Sequence, residues 1–380
     1  MHVVYYSNEY PVPNGPTHGG IATMIRFIAQ GLISQGHKVS VVMVRSDIAD
    51  GVQNVDGVTV YSVASNKKDL LPFVKTTIKV NNLLKEIHDK SKIDILEAPE
   101  LGLSIIKRLK GVKHVIRMNG GHHFFTIAEN RPREWRKVFR EKRSFAKADH
   151  VIAVSNYVAE VTRRELKLGN IPIEIIPNPV NTKEFYEADS TKVKKGEILF
   201  VGTICEKKGV RQLVLAMEKI VAKHPQAQLK IIGGDWKFAD GRMFTDYLTE
   251  QFPDNAKNNI EIIGRVDHHL VAGYIEQAEV CVYPSHMEAL PLAWLEVLSM
   301  GKPFVGGSTG PGPEVVNHGE TGLLADPHSP EDVAEKVIYM LDHPKEALKM
   351  GTNARKDVLS RFDIEKLINH NISHYKSLLA

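Results

Sequence analysis

Two carboxylates, Glu288 and Glu296, stand on either side of Pro291 in the run EALPLAWLE. The apolar residues before them, Val280-Cys281-Val282-Tyr283-Pro284, read as a buried parallel strand. Pro291 falls where the first turn of a helix tolerates a missing N–H. The spacing therefore predicts Glu288 in the loop at the carboxyl end of the strand, and Glu296 about one and a half turns into the helix that follows. Free backbone N–H groups at the start of that helix, with the positive end of its dipole, favour an anionic phosphate between the two acids. This is chemistry for a phosphate-bearing ligand with hydroxyl groups on both sides of the phosphate.

The elements that must position these acids are legible from patterning. A chain of 380 residues at 43% hydrophobic is too long for one ordinary core, so two domains are expected. Strand-length apolar runs alternate with amphipathic helical segments, which predicts an α/β class with parallel sheets covered by helices on both faces. In the first half the predicted strands are His2 to Ser7, Val39 to Val44, Asp94 to Glu97, His114 to Met118, His150 to Val154 and Glu174 to Ile176. A helix from Ile21 to Gln35 ends at Gly36, and no connection is read as a hairpin. IPNPVN at 176–181 marks a boundary, and the unit restarts with strands at Ile198 to Val201, Gln228 to Ile232, Ile260 to Ile263, Pro303 to Gly306 and Gly322 to Leu324. Helices are expected at Val210 to Lys223 and Leu270 to Gln277. The expected domains are 1–186 and 187–362, each doubly wound, with an amphipathic helix at 363–380 packing back on the first. Ligands of such sheets gather at the carboxyl ends of the strands, so the site is expected in the cleft between the two units.

The bulk numbers exclude some classes. The two cysteines, Cys205 and Cys281, lie far apart, which suggests neither a disulfide framework nor a zinc site and fits a reducing cytoplasm. No secretory leader or membrane span is read, and a net charge of +4 says little about partners. The distribution of charge says more. Arg131, Arg133, Arg136, Lys137, Arg140, Lys142, Arg143 and Lys147 interleave with Trp135, Val138, Phe139 and Phe145 at roughly helical spacing. Such a helix could rest on an anionic membrane surface or an anionic acceptor. The plainer reading is a solvated face with its aromatics in the core and with Glu134 and Glu141 in i,i+4 pairs.

With these residues on the page, the chain resembles the retaining glycosyltransferases of family 4, which have the GT-B architecture of two Rossmann-like domains. The resemblance spans nearly the whole chain. It rests on His18-Gly19-Gly20-Ile21, IPNPV at 176–180, FVGTICEKKGV at 200–210, PSHMEALPLAWLEVLSMGKPFV at 284–305 and EVVNHGETGLLADP at 314–327. It implies that Lys208 contacts the donor diphosphate, Glu288 the hydroxyls of the transferred sugar and Glu296 the ribose. Leu290 and Leu292 would supply phosphate-facing amides, Gly19 and Gly20 would let the backbone approach phosphate or acceptor, and Arg265 and Val266 would border the base. A Lys suits a leaving diphosphate and a carboxylate suits ribose hydroxyls.

Two positions depart from the family pattern. Thr203 stands where many relatives carry an Arg, and Asn119, on the acceptor side, where many carry a His at the reaction centre. His122 and His123 follow in the same loop and are candidates to act there instead. The expected activity is sugar transfer from a nucleotide-diphosphate sugar to an acceptor hydroxyl with retained configuration. The acceptor would be a glycan, a lipid-linked molecule or a small metabolite. No Asp-x-Asp motif is present, so no metal or other cofactor is expected, and nucleic acid is not an expected partner. The cytoplasm, or the inner face of a membrane reached through 131–147, is the expected location. The alternatives are a nucleotide-sugar epimerase of the same fold, a noncatalytic sugar-binding protein and, less favoured for want of a GxGxxG, a nicotinamide oxidoreductase.

Overall fold

The computed structural model describes every residue except 14, 16–18, 67–70, 129–131 and 133, and the side chains of all the others but 72 and 128. His18, Arg131 and Arg133 therefore lie outside the described residues. The chain divides into two units, Met1–Pro179 with Ile364–Ala380, and Val180–Asp363. Residues 180–186, expected in the first domain, belong to the second unit.

The first unit runs β1 (His2–Ser7), α1 (Gly20–Ser34), β2 (Lys38–Arg45), β3 (Gly51–Val55), β4 (Val58–Ala64), α2 (Pro72–Lys90), β5 (Ile95–Ala98), β6 (Lys113–Met118), α3 (His122–Ala128), α4 (Trp135–Phe145), β7 (His150–Ala153), α5 (Asn156–Leu166) and β8 (Ile173–Ile175). The sheet order is β3-β4-β2-β1-β5-β6-β7-β8. All neighbours pair parallel except β3 with β4. That antiparallel pair corrects the expectation of no hairpin. Asp56 and Gly57, at φ 51° and 85°, form its two-residue turn, and the Asp-Gly pair between valines is the sequence signal for such a turn. Every residue of β1 is buried, as a central parallel strand requires.

The second unit runs β9 (Glu197–Val201), α6 (Val210–Lys223), β10 (Gln228–Ile232), α7 (Phe244–Thr249), β11 (Ile260–Gly264), α8 (His268–Gln277), β12 (Val280–Tyr283), α9 (Leu292–Ser299), β13 (Phe304–Gly307), α10 (Gly312–Val315), β14 (Leu323–Ala325), α11 (Pro330–Asp342) and α12 (Pro344–Arg361). Its sheet is wholly parallel, in the order β11-β10-β9-β12-β13-β14. The last helix, α13 (Ile364–Leu379), returns to the first unit. It buries Leu367, Ile372, Tyr375 and Leu378 and lays Ile368 against Gly31 of α1.

Both sheets carry a switch in the direction of winding. In the first it lies between β1 and β5, in the second between β9 and β12. Loops leaving adjacent strands at such a point run to opposite faces, which opens a crevice at the carboxyl ends of those two strands.

Candidate active site

Lys208 and Glu288 meet at the switch point of the second sheet. Lys208 closes a single 3₁₀ turn, Glu206–Lys208, after β9, and Glu288 lies in the loop after β12. The Lys208 ammonium donates to Glu288 Oε1. The loops can approach this closely because the next residue is Gly209, at φ 69°, where a Cβ would lie 1.8 Å from the Pro284 carbonyl oxygen. The His286 amide also donates to the Lys207 carbonyl at 2.9 Å, fastening the two loops together. Glu288 is only 9% exposed while Lys208 is half-buried, so the ammonium keeps donor capacity beyond the one bond to Oε1.

Pro291 caps α9 rather than opening it, and the helix starts at Leu292. The Leu292 and Ala293 amides fall in the first turn, where no acceptor exists within the helix. Leu290 is buried and Leu292 half-buried. Glu296 is the fifth residue of α9, just over one turn in. Its Oε1 lies 3.3 Å from Nε2 of His268, whose Nδ1 lies 3.2 Å from Glu184 Oε1. The hydrogen-bonded Glu296 carboxylate holds His268 above the ordinary histidine range against the opposing effect of burial, and Glu184 adds to the rise. Carboxylates only accept, so both contacts are satisfied together by the imidazolium. Thr203 and Arg265 are exposed and Val266 half-buried, with the Arg265 guanidinium lying over Gly234 in the loop after β10.

In the first unit a cavity of about 140 Å³ sits at the β1/β5 switch, among Tyr5, Ser7, Glu9, Met24, Arg117 and Asn119. Gly19 precedes α1 as its cap, but its amide already donates to Glu9 Oε2 at 2.8 Å. Gly20 is the first residue of α1 and is exposed. The Asn119 amide donates to Glu100 Oε1 at 2.8 Å, and burial pushes the Glu100 carboxyl up to about 7. His122 is half-buried and its Nε2 accepts from the Glu134 amide at 3.3 Å. His123 is not at a ligand surface. It is fully buried, with Nδ1 3.1 Å from Glu141 Oε1 and Nε2 2.9 Å from Thr162 Oγ1. Glu141 is thus a buried partner and not a member of a solvated i,i+4 pair.

Several residues at these sites escaped the sequence reading. Glu97 and Glu100 end the β5 segment, and carboxylates at the carboxyl end of a predicted parallel strand are a signal that could have found them. Arg117 had no such signal. It is buried among Glu97, Asn371 and Tyr375, and two of those three partners come from the far end of the chain. His268 likewise is fixed by the approach of α8 to Glu296 on α9 and to Glu184. Among the described residues no group of three or more His, Cys, Asp or Glu could hold a metal ion.

The chain matches two family models in succession, "Glycosyltransferase Family 4" over residues 18–184 and "Glycosyl transferases group 1" over residues 182–357. It is 25% identical over 386 aligned residues to the GDP-mannose-dependent monoacylated alpha-(1-6)-phosphatidylinositol monomannoside mannosyltransferase of Corynebacterium glutamicum, covering 94% of this chain and 93% of that one. Among solved structures, sucrose-phosphate synthase from Thermosynechococcus elongatus superimposes with a TM-score of 0.84 at 22% identity, covering 100% of this chain and 99% of that one. HepE from Anabaena, in complex with UDP and glucose, does so with a TM-score of 0.75 at 15% identity, covering 99% of this chain and 100% of that one. With the two family patterns following one another along the chain, each over its own doubly wound sheet, the protein belongs to the group 1, family 4 glycosyltransferases of GT-B fold.

Proposed function

We propose that this glycosyltransferase is a retaining enzyme that works without a metal. The observation that carries the reading is the Lys208–Glu288 pair at the β9/β12 switch, one loop away from the start of α9. The donor diphosphate lies at the Leu292 end of α9, where the helix dipole and unpaired amides favour negative charge. Lys208 supplies the countercharge as the bond from the anomeric carbon to the β-phosphate oxygen breaks, an interaction that strengthens in the transition state. Glu288 orients the sugar hydroxyls, Glu296 accepts from the ribose diol, and the backbone at Arg265 and Val266 borders the base. The acceptor hydroxyl attacks the face the diphosphate leaves, and its proton passes to a β-phosphate oxygen. No side-chain nucleophile is needed, which agrees with His123 being engaged in the core. Thr203 leaves Lys208 without a second cation at the position common in the family.

The first unit takes the acceptor, with Asn119 and the Gly19–Gly20 turn beside the 140 Å³ cavity. The Corynebacterium relative is named for a lipid-borne acceptor, and HepE was solved with UDP and glucose. Contact with a membrane through 131–147 and a cytoplasmic location belong to the same reading.

The test is incubation with a panel of nucleotide sugars, with and without acceptors, following nucleoside diphosphate release and the anomeric configuration of the product. Glu288→Gln should lower turnover more than nucleotide affinity, and Lys208→Ala should lower both. Charge-assisted contacts contribute about 1.5–3 kcal/mol, so each effect should be tenfold or more. Inverted product would overturn retention, unchanged kinetics in both variants would overturn the site, and activity abolished by chelation and restored by a divalent ion would overturn metal independence.

A further inference from the structure

The basic segment does not bury its aromatics as the plainer sequence reading expects. On α4, Phe145 is buried, but Trp135 is 73% and Phe139 62% exposed. One turn apart, they share an outward face with Lys142, while Glu141, Ser144 and Phe145 face the core. Beside them runs α2, with two stripes. Thr76, Val80, Leu84 and Ile87 point inward, whereas Phe73, Val74 and Ile78 point outward and are 53%, 45% and 54% exposed. The helices are joined at this surface, because the Arg140 guanidinium lies over the Phe73 ring at 4.9 Å.

We propose that α2 and α4 together form a docking face for an anionic lipid bilayer. Phe73, Ile78, Trp135 and Phe139 enter the boundary between headgroups and acyl chains, and Arg136 and Lys142 meet lipid phosphates. This deepens the membrane contact read for 131–147 by adding a second helix and naming the inserted side chains. Charge complementarity selects the partner. Arg136 and Lys142 have no carboxylate partner among the described residues, and Arg136 lies over the Trp135 ring at 5.3 Å. Not every cation is available: Arg143 donates to the Ser104 carbonyl, and Lys147 to the carbonyls of Leu103, Ser104 and Ile106. Exposed aromatics framed by cations suit an interface that is apolar below and anionic above. A second copy of the chain fits less well, since a two-fold contact would set this basic face against itself. No helix of the described residues is long and apolar enough to cross a membrane, so this is attachment in the plane of the surface.

The test is co-sedimentation of the full chain with vesicles of phosphatidylcholine alone or with about one-third phosphatidylglycerol, an anionic fraction that attracts surface cations. The protein should pellet with the anionic vesicles and stay in solution with neutral ones. Phe73→Ser with Ile78→Ser should weaken partition at least tenfold, and Arg136→Gln with Lys142→Gln should weaken it about thirtyfold at low salt, from ~1 kcal/mol per cation. All four positions are exposed, so far-UV circular dichroism should stay native and melting should fall by no more than the loss of the Arg140–Phe73 contact. Equal pelleting with neutral vesicles, no loss in the α2 variant, or self-association that the same substitutions abolish without any vesicle binding would overturn the proposal. Nucleoside diphosphate release from soluble donor, measured in parallel, should be the same in wild type and variants. Its absence in wild type would count against the proposed reaction and not against the docking face.

Discussion

Glu100 is a carboxylate whose burial outweighs the amides that favour its charge. It is 4% exposed, it accepts from the Asn119 amide, and burial lifts it to about 7 from an ordinary 4.5. The folded state thus favours the neutral acid. The stability this contributes is full below about pH 4.5 and is lost as pH rises through about 7. Glu100→Gln keeps an acceptor for Asn119 and removes the charge. Melting temperatures compared from pH 5 to 8 should show wild type falling relative to the variant, with the variant the more stable at pH 8 by at most a few kcal/mol. A difference that does not change with pH would refute the assignment. At this scale the sequence was informative where a residue acts through its own position in a motif. Lys208 and Glu288, singled out from two separate motifs, are in contact. It was uninformative about His122 and His123, because burial depends on Glu141 and Thr162, which reach His123 from α4 and α5.

The decisive element-level feature is the junction of the Glu206–Lys208 turn with the loop after β12. Gly209 makes it, since its φ of 69° disfavours a side chain and its missing Cβ leaves room for the Pro284 carbonyl. Gly209→Ala should cost about 1–2 kcal/mol from the left-handed backbone alone, and more from the clash. The loops should separate, raising the KM for donor while far-UV circular dichroism stays native. An unchanged KM with a lowered melting temperature would show that the junction serves folding only. Elements themselves were largely legible. The α6 and β10 bounds coincide with the sequence reading, because the apolar spacing of the helix and the apolar end of the strand are local patterns. The β3–β4 hairpin was missed although Asp56-Gly57 advertises it. Residues 51–54 of β3 are exposed, so the strand carries no apolar pattern of its own.

Over the whole molecule, the chain's last helix completes the first unit. Tyr375 donates to Glu97 Oε2 at 2.6 Å, and Glu97 pairs with Arg117 at 2.7 Å, both deep in the core. A buried carboxylate that loses one of its hydrogen-bond donors bears a desolvation cost that nothing offsets. Tyr375→Phe should therefore lower the unit's stability by about 1–3 kcal/mol, read as a drop in its melting transition with donor affinity in the second unit unchanged. A wild-type melting curve would show that the hydroxyl is dispensable. The sequence by itself determined the α/β class, most of the order of elements and the family, because periodicity and motif spacing are local properties of the chain. Tertiary structure alone decided that Arg117 is neutralised by Glu97 and contacts α13, that His123 is a core residue, and that Trp135 and Phe139 face outward beside α2. Each of those outcomes depends on which distant segments pack against the residue, and burial and electrostatics are set by those neighbours.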